Sequence, residues 1–416
     1  MVRIRINDKE FNGWVVVAEL LIILSIVLGI RYSFGVFFKS IESEFHLSRG
    51  ATSGFFSLYM AISCVFAFLG GWCLDRYGPK VVLLIMGIFT CLSLLLTSQT
   101  NSSWQLFISY SLLLAAGTGA GFTVVLATVS KWFIKLRGLA LGAALSGEGL
   151  GTLAVAPFAT YLISSFTWRT AFALMGLIAG VVIIGLSFLL KKKAPENDVL
   201  ADVTTASTEP SNDSGQEASF SLAEASRTRS FWFLGIVYLL FSLSYHLVLT
   251  HIIPHATDIG ITAARAAAIV AVIGGSTIPG RLIIGWVSDR ISGKILAISC
   301  ALFQVIAMIW LAWSDALWMF YLFAVFFGFA FGGLSNSMAS LIGNTFGTAN
   351  IGTIVGAIVV GFSAGGAVGP LLGGYVFDAT NSYFISFLIG ALAMLMTVLF
   401  LGLTRRETKR RPGKKF

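Results

Sequence analysis

Arg281 is the only charge between Arg265 and Asp289, in an otherwise apolar stretch. A guanidinium stays charged at any relevant pH and matches a carboxylate with two parallel hydrogen bonds. Its expected role is to bind an organic anion, with a structural ion pair to another helix as the alternative. Glu148 is isolated in the same way, eleven residues after Arg137. Burial favours a neutral carboxyl group and a nearby cation favours the ionised one. Glu148 is therefore a candidate for carrying a proton, or for a fixed salt bridge. Asp258 is a second proton-coupling candidate. His251 and His255 lie one helical turn apart, but a zinc site needs three or four ligands and only Asp258 is close by. No metal is expected; His251 is expected to donate a hydrogen bond to substrate or to relay a proton, with a satisfied polar contact between helices as the alternative. Asn336, among Gly332, Gly333 and Ser335, is a further polar contact, and Leu28 and Leu145 complete the expected binding site.

One short charged loop occurs twice. Gly71-Trp-Cys-Leu-Asp75-Arg76-Tyr-Gly78-Pro-Lys80 returns as Gly285-Trp-Val-Ser-Asp289-Arg290-Ile-Ser292-Gly-Lys294, at an offset of 214 residues. Gly138, Gly142, Gly147 and Gly151 return at the same offset as Gly352, Gly356, Gly361 and Gly365. Small residues at such spacings let membrane helices approach closely. Asp75, Arg76, Asp289 and Arg290 are expected to form a latch that closes one side, because carboxylates at helix ends cap neighbouring helices and pair with cations. Plain loop charge is the alternative.

These groups need a membrane to hold them. Of the 416 residues, 56% are hydrophobic and 11% charged, against about 45–50% apolar and about 25% charged in a soluble domain. Twelve apolar runs (12–37, 51–74, 79–98, 104–131, 137–163, 167–190, 230–254, 263–288, 293–313, 316–343, 350–377 and 382–404) approach or exceed the roughly 20 residues that cross a bilayer. Lipid offers backbone groups no hydrogen bonds, so these runs are expected to be helices. The expected fold is all-α: twelve transmembrane helices in two pseudo-symmetric six-helix halves. Residues 1–190 form the first half, 191–229 a flexible cytoplasmic linker, 230–404 the second half and 405–416 a basic cytoplasmic tail. Residues 194–226 contain no Lys or Arg and are rich in Ser, Thr, Ala and acids, a composition that cannot bury enough surface to order itself.

The net charge of +9 is unevenly spread. With the N-terminus inside, only Lys39, Arg49, Arg169 and Arg265 face outward, which obeys the positive-inside rule and makes both termini cytoplasmic. That distribution argues against a nucleic-acid partner; the basic tail suits anionic headgroups. The expected location is the cell (inner) membrane. The first run is too long for a signal-peptide core. The four cysteines fall in membrane segments at unrelated spacings and suggest no disulfide framework.

The duplicated Gly-x-x-x-Asp-Arg-x-Gly-x-Lys loop resembles the signature of the major facilitator superfamily, with Ser292 at the glycine position of the second copy. Lys131-Trp-Phe-Ile-Lys135-Leu-Arg137 through Gly151 resembles a motif of monocarboxylate transporters and their oxalate–formate relatives. Asn12-Gly13-Trp14 resembles their other signature, with Asn where an acid is common. His251 to Gly260 and Gly374 to Thr380 fit bacterial members of the lactate and pyruvate type. The resemblance implies a substrate-binding arginine at Arg281. It also implies that the fifth and eighth helices face each other, which would bring Glu148 near Arg281. Animal members carry an acid where this chain has Thr277, and a proton-coupling lysine where it has Tyr32.

The resulting expectation is a carrier without cofactor, functional as a monomer: proton-coupled symport of a small monocarboxylate such as L-lactate or pyruvate, by alternating access. An anion exchanger of the oxalate–formate type, or an uncoupled organic-anion uniporter, is the alternative. Run 350–377 contains no Lys, Arg or His; one central cation suits one carboxylate. Arg31 is expected near the outer interface, where it can snorkel to headgroups or act as a second carboxylate contact; Glu19 has no assigned role. An enzyme is not expected, because no nucleophile–base pair or metal cluster lies at depth.

Overall fold

A computed structural model describes residues 8–133, 137–190, 220–288, 291–346 and 351–404. The apolar runs are helices, begun by side-chain caps where polar loops end: Ser48 accepts from the amide of Ala51, Thr167 from that of Thr170 and Thr228 from that of Phe231. Helix α1 is Asp8–Tyr32, continued past a turn at Ser33 by Phe34–Glu44. Then come α2 (Arg49–Tyr77), α3 (Pro79–Ser98) and α4 (Ser103–Val129), whose Phe107–Leu113 stretch is π-helical. Helix α5 is Arg137–Leu145 and, beyond an interruption at Ser146, Gly147–Ser165; α6 is Trp168–Leu189. The second half holds α7 (Arg229–Asp258), α8 (Ala263–Ser288), α9 (Gly293–Ala312), α10 (Leu317–Phe346), α11 (Ile351–Thr380) and α12 (Phe384–Leu403). Among the described residues eleven crossings are long and apolar enough to span a membrane; α5, in its two pieces, adds a twelfth.

The duplicated glycines make duplicated contacts. A Cβ on Gly151 would collide with the backbone of Ser25 in α1, and one on Gly365 with the backbone of Leu239 in α7. The pairs α1–α5 and α7–α11 are thus equivalent within the two halves, each backbone resting on the other where only hydrogen fits. The halves meet along α5–α8, where Gly149 and Gly274 lie against the facing helix, and along α2–α11, where Gly374 lies against the carbonyl of Arg49.

Before α7, Ser221 and Glu224 form a reciprocal capping box around the short helix Leu222–Ala225. Phe220 donates its amide to the carbonyl of Phe346 at 3.0 Å. The remainder of the expected linker (191–219) and the basic tail (405–416) lie outside the described residues.

Candidate functional site

The interruption of α5 builds the centre of the molecule. The last carbonyls of a helix lack intrahelical partners and form its negative end, while the first turn forms a positive one. At Ser146 both kinds of end meet. Arg281 Nη1 donates to the carbonyl of Leu145 at 2.8 Å. Its Nη2 donates to Glu148 Oε2 in a direct ion pair, and Glu148 occupies the first turn of Gly147–Ser165. Each charge therefore sits at the helix end that favours it. The other carboxylate oxygen, Oε1, accepts from the Tyr32 hydroxyl at 3.1 Å. The Tyr32 ring meets Tyr245 edge-on with centroids 5.6 Å apart, and Tyr245 stacks on Phe331 at 3.7 Å. His246 lies 5.9 Å from the Tyr32 ring. Helices α1 and α5 of one half and α7, α8 and α10 of the other converge here.

Arg31 stands beside this cluster, and its expected placement is corrected. The first helical crossing reaches Glu44 rather than ending at 37, so Arg31 is at mid-depth and not at a rim. Its Nε donates to the Tyr59 hydroxyl at 2.8 Å, and that hydroxyl shares a 2.7 Å hydrogen bond with Thr118 Oγ1. The guanidinium lies over the Tyr59 ring, 5.5 Å from its centroid.

A second charged cluster joins the halves at the face opposite to the one where α1 begins. Arg49 Nη1 and Nη2 donate to the two oxygens of Asp258 at 2.6 and 3.1 Å. Lys39 adds a 2.6 Å contact to Asp258, and Glu42 accepts from Arg49 Nε at 3.2 Å. The guanidinium lies over the Phe377 ring at 3.8 Å and donates to the Tyr383 hydroxyl at 2.7 Å. From α11, Asp378 accepts the amides of Arg49 and Gly50 at 2.9 and 2.8 Å, capping α2 across the boundary.

The expected site residues divide between the two clusters. Arg281, Glu148 and Leu145 are together, Leu145 through its carbonyl rather than its side chain. His251 is not with them. It lies six residues beyond Tyr245, about 9 Å of helical rise, bonded to Ser53 (3.3 Å), the Pro370 carbonyl (2.8 Å) and Tyr383 (3.2 Å). Asp258 is likewise committed to Arg49 and Lys39. Leu28 is buried in the core, and Asn336 is an exposed residue adjoining Gly285. Arg76 is exposed over Trp72 and Tyr77; Asp289, Arg290 and the Asp75 side chain lie outside the described residues. Among the described residues no group of three or more His, Cys, Asp or Glu gathers as a metal site.

Sequence reasoning missed Tyr59, Tyr245 and His246, and the joint role of Arg49 and Asp378. A tyrosine in an aromatic-rich helix carries no mark of its partner, and Arg49 reads as loop charge. The family pattern around Asp378 was the one available signal.

Two equivalent six-helix halves enclosing ionised groups at their boundary are the architecture of a multi-pass membrane transporter, not an enzyme. The chain belongs to the Major Facilitator Superfamily, whose profile matches residues 20–363 and 256–416. Monocarboxylate transporter 13 of Rattus norvegicus is 27% identical over 393 residues, covering 92% of this chain and 86% of the relative. Monocarboxylate transporter 11 of Homo sapiens is 26% identical over 403 residues, covering 94% and 83%. The fold is shared with a D-xylose-proton symporter (TM-score 0.70, 17% identity, 95% of this chain and 99% of that one). It is shared also with an inward-facing, unoccupied bacterial homolog of the human lysosomal transporter Spinster (TM-score 0.67, 16% identity, 96% of each chain).

Proposed function

We propose that the protein carries a small monocarboxylate, of the L-lactate or pyruvate kind, together with a proton. It does so in the cell membrane with both termini cytoplasmic, as a monomer. The observation that carries this reading is the ion pair between Arg281 and Glu148 across the boundary of the halves. A substrate carboxylate competes for the same planar fork. Once it takes Arg281, Glu148 is left in a low-dielectric site beside a neutralised cation, where a proton replaces the lost partner. One carboxylate and one proton then enter together, leaving the site charge unchanged. The same exchange breaks a tie between α5 and α8 and frees the halves to rock.

In this reading the Arg49–Asp258–Asp378 cluster seals the extracellular side, with His251 helping to hold it closed. The Asp75–Arg76 and Asp289–Arg290 loops act as the cytoplasmic latch, and residues 191–229 tether the halves. The relatives' names as monocarboxylate transporters support the substrate class. Radiolabelled L-lactate uptake into proteoliposomes tests it: an inward proton gradient is expected to drive accumulation above equilibrium. Uptake indifferent to the gradient, with counter-anion exchange intact, would replace symport by exchange; the ion pair suits that reading too, substrate and Glu148 simply alternating on Arg281.

A further inference from the structure

We infer that Arg31 is a second anion contact of the substrate site, holding an oxygen function other than the carboxylate on Arg281. The inference rests on the carrier reading above. Arg31 precedes Tyr32, and Tyr32 and Arg281 between them hold the two oxygens of Glu148. The Glu148 charge acts on Arg31 electrostatically. With both oxygens engaged, Glu148 leaves Arg31 without a paired acid among the described residues. Arg31 spends Nε on the neutral Tyr59 hydroxyl; its two terminal nitrogens have no protein acceptor among the described residues. It is half-buried.

A cation held at this depth is costly unless an anion or acceptor completes it. The Tyr59–Thr118 hydrogen bond fixes the guanidinium by its Nε edge and leaves the bidentate edge unused. Arg31 belongs to α1 of one half and Arg281 to α8 of the other. A ligand touching both therefore ties the halves together, as the Glu148–Arg281 pair does in its absence. The ligand class is a short monocarboxylic acid with a second acceptor oxygen near its carboxylate, a 2-hydroxy acid or a 2-oxo acid, and malonate serves as a probe with an acceptor at the same reach.

The test is binding of propionate, L-lactate and malonate to the purified full-length protein, by calorimetry, in wild type, Arg31→Gln and Arg281→Ala. Losing hydrogen bonds to a charged donor weakens affinity by about tenfold or more. Arg31→Gln is expected to weaken L-lactate and malonate by that amount and propionate by less than about twofold, since propionate offers no second acceptor. Equal weakening of all three, or none, would overturn the inference. Arg281→Ala is expected to abolish binding of all three. Full binding there would refute the role of Arg281 and overturn the second contact assigned to Arg31 with it. If wild type binds none of the three, the carrier reading fails and the inference with it. Should Arg31→Gln not yield monodisperse protein, Tyr59→Phe, which releases Nε without removing the cation, is expected to shift the same lactate-to-propionate ratio. An unchanged ratio there overturns the proposal.

Discussion

Arg281 of α8 and Glu148 of α5 form an ion pair across the boundary of the two halves, with Arg281 also bonded to the carbonyl that the break at Ser146 leaves at the end of a helix segment. One guanidinium thus closes a helix end, neutralises an acid and joins the halves. Any anion that displaces Glu148 disturbs all three at once.

Removing one partner of a buried pair strands the other, at a cost of about 3–5 kcal/mol. Arg281→Ala is expected to lose L-lactate uptake and to lower the thermal midpoint of the purified protein. Adding Glu148→Ala to it should recover part of the midpoint and none of the uptake. Robust uptake by Arg281→Ala would sink the central proposal.

Glu148→Gln keeps the shape of the side chain and removes its proton chemistry. Accumulation driven by a pH gradient should vanish, while exchange of labelled for unlabelled lactate across the same vesicles persists. Gradient-driven accumulation in this variant would assign the coupling proton elsewhere.

Asp378 caps the first amides of α2 from the other half. Asp378→Ala removes that cap and should favour opening of this face. With the four free cysteines Cys64, Cys73, Cys91 and Cys300 replaced, a single Ser53→Cys beneath the cluster reports the change. Its labelling by an impermeant thiol reagent is expected to be several-fold faster with Asp378→Ala than without it. Equal rates would mean that the cluster does not hold the face closed.

The repeated glycines differ in what surrounds them. Gly151→Leu and Gly365→Leu push a side chain into a facing backbone and should each destabilise by at least about 1–3 kcal/mol. Gly142 has nothing within 4 Å of where a Cβ would sit. Gly142→Ala should be neutral or stabilising by up to about 1 kcal/mol. Denaturation midpoints in one detergent compare the three directly.

Much of the architecture is legible in the chain because the bilayer enforces it. Apolar runs of sufficient length must be helices, since lipid offers their backbones no other partner. The offset that relates Asp75 to Asp289 and Gly151 to Gly365 announces two halves, and at the two glycines close packing restricts the position to the smallest residue. Arg281 stands out for the same reason: an ionised group in an apolar run is too costly to be incidental.

Pairing is what the chain does not carry. Glu148 reaches Arg281 beside the interruption of α5 at Ser146, in the glycine-rich stretch Ser146-Gly147-Glu148-Gly149, but nothing local to that stretch names Arg281 as the partner. His251 and Asp258 read as substrate or proton groups until Arg49 and Ser53 come across the boundary, and Tyr383 and the Pro370 carbonyl from their own half, to engage them. Arg31 reads as a rim residue until α1 continues past Ser33 to Glu44. Composition and spacing determine which groups lie in the membrane, since the cost of each is paid locally against lipid. Which groups neutralise one another is fixed in the tertiary structure: the family pattern gave Glu148 near Arg281 only as an expectation, and the Arg49–Asp258 pair depends on how two halves, folded from distant stretches of chain, meet.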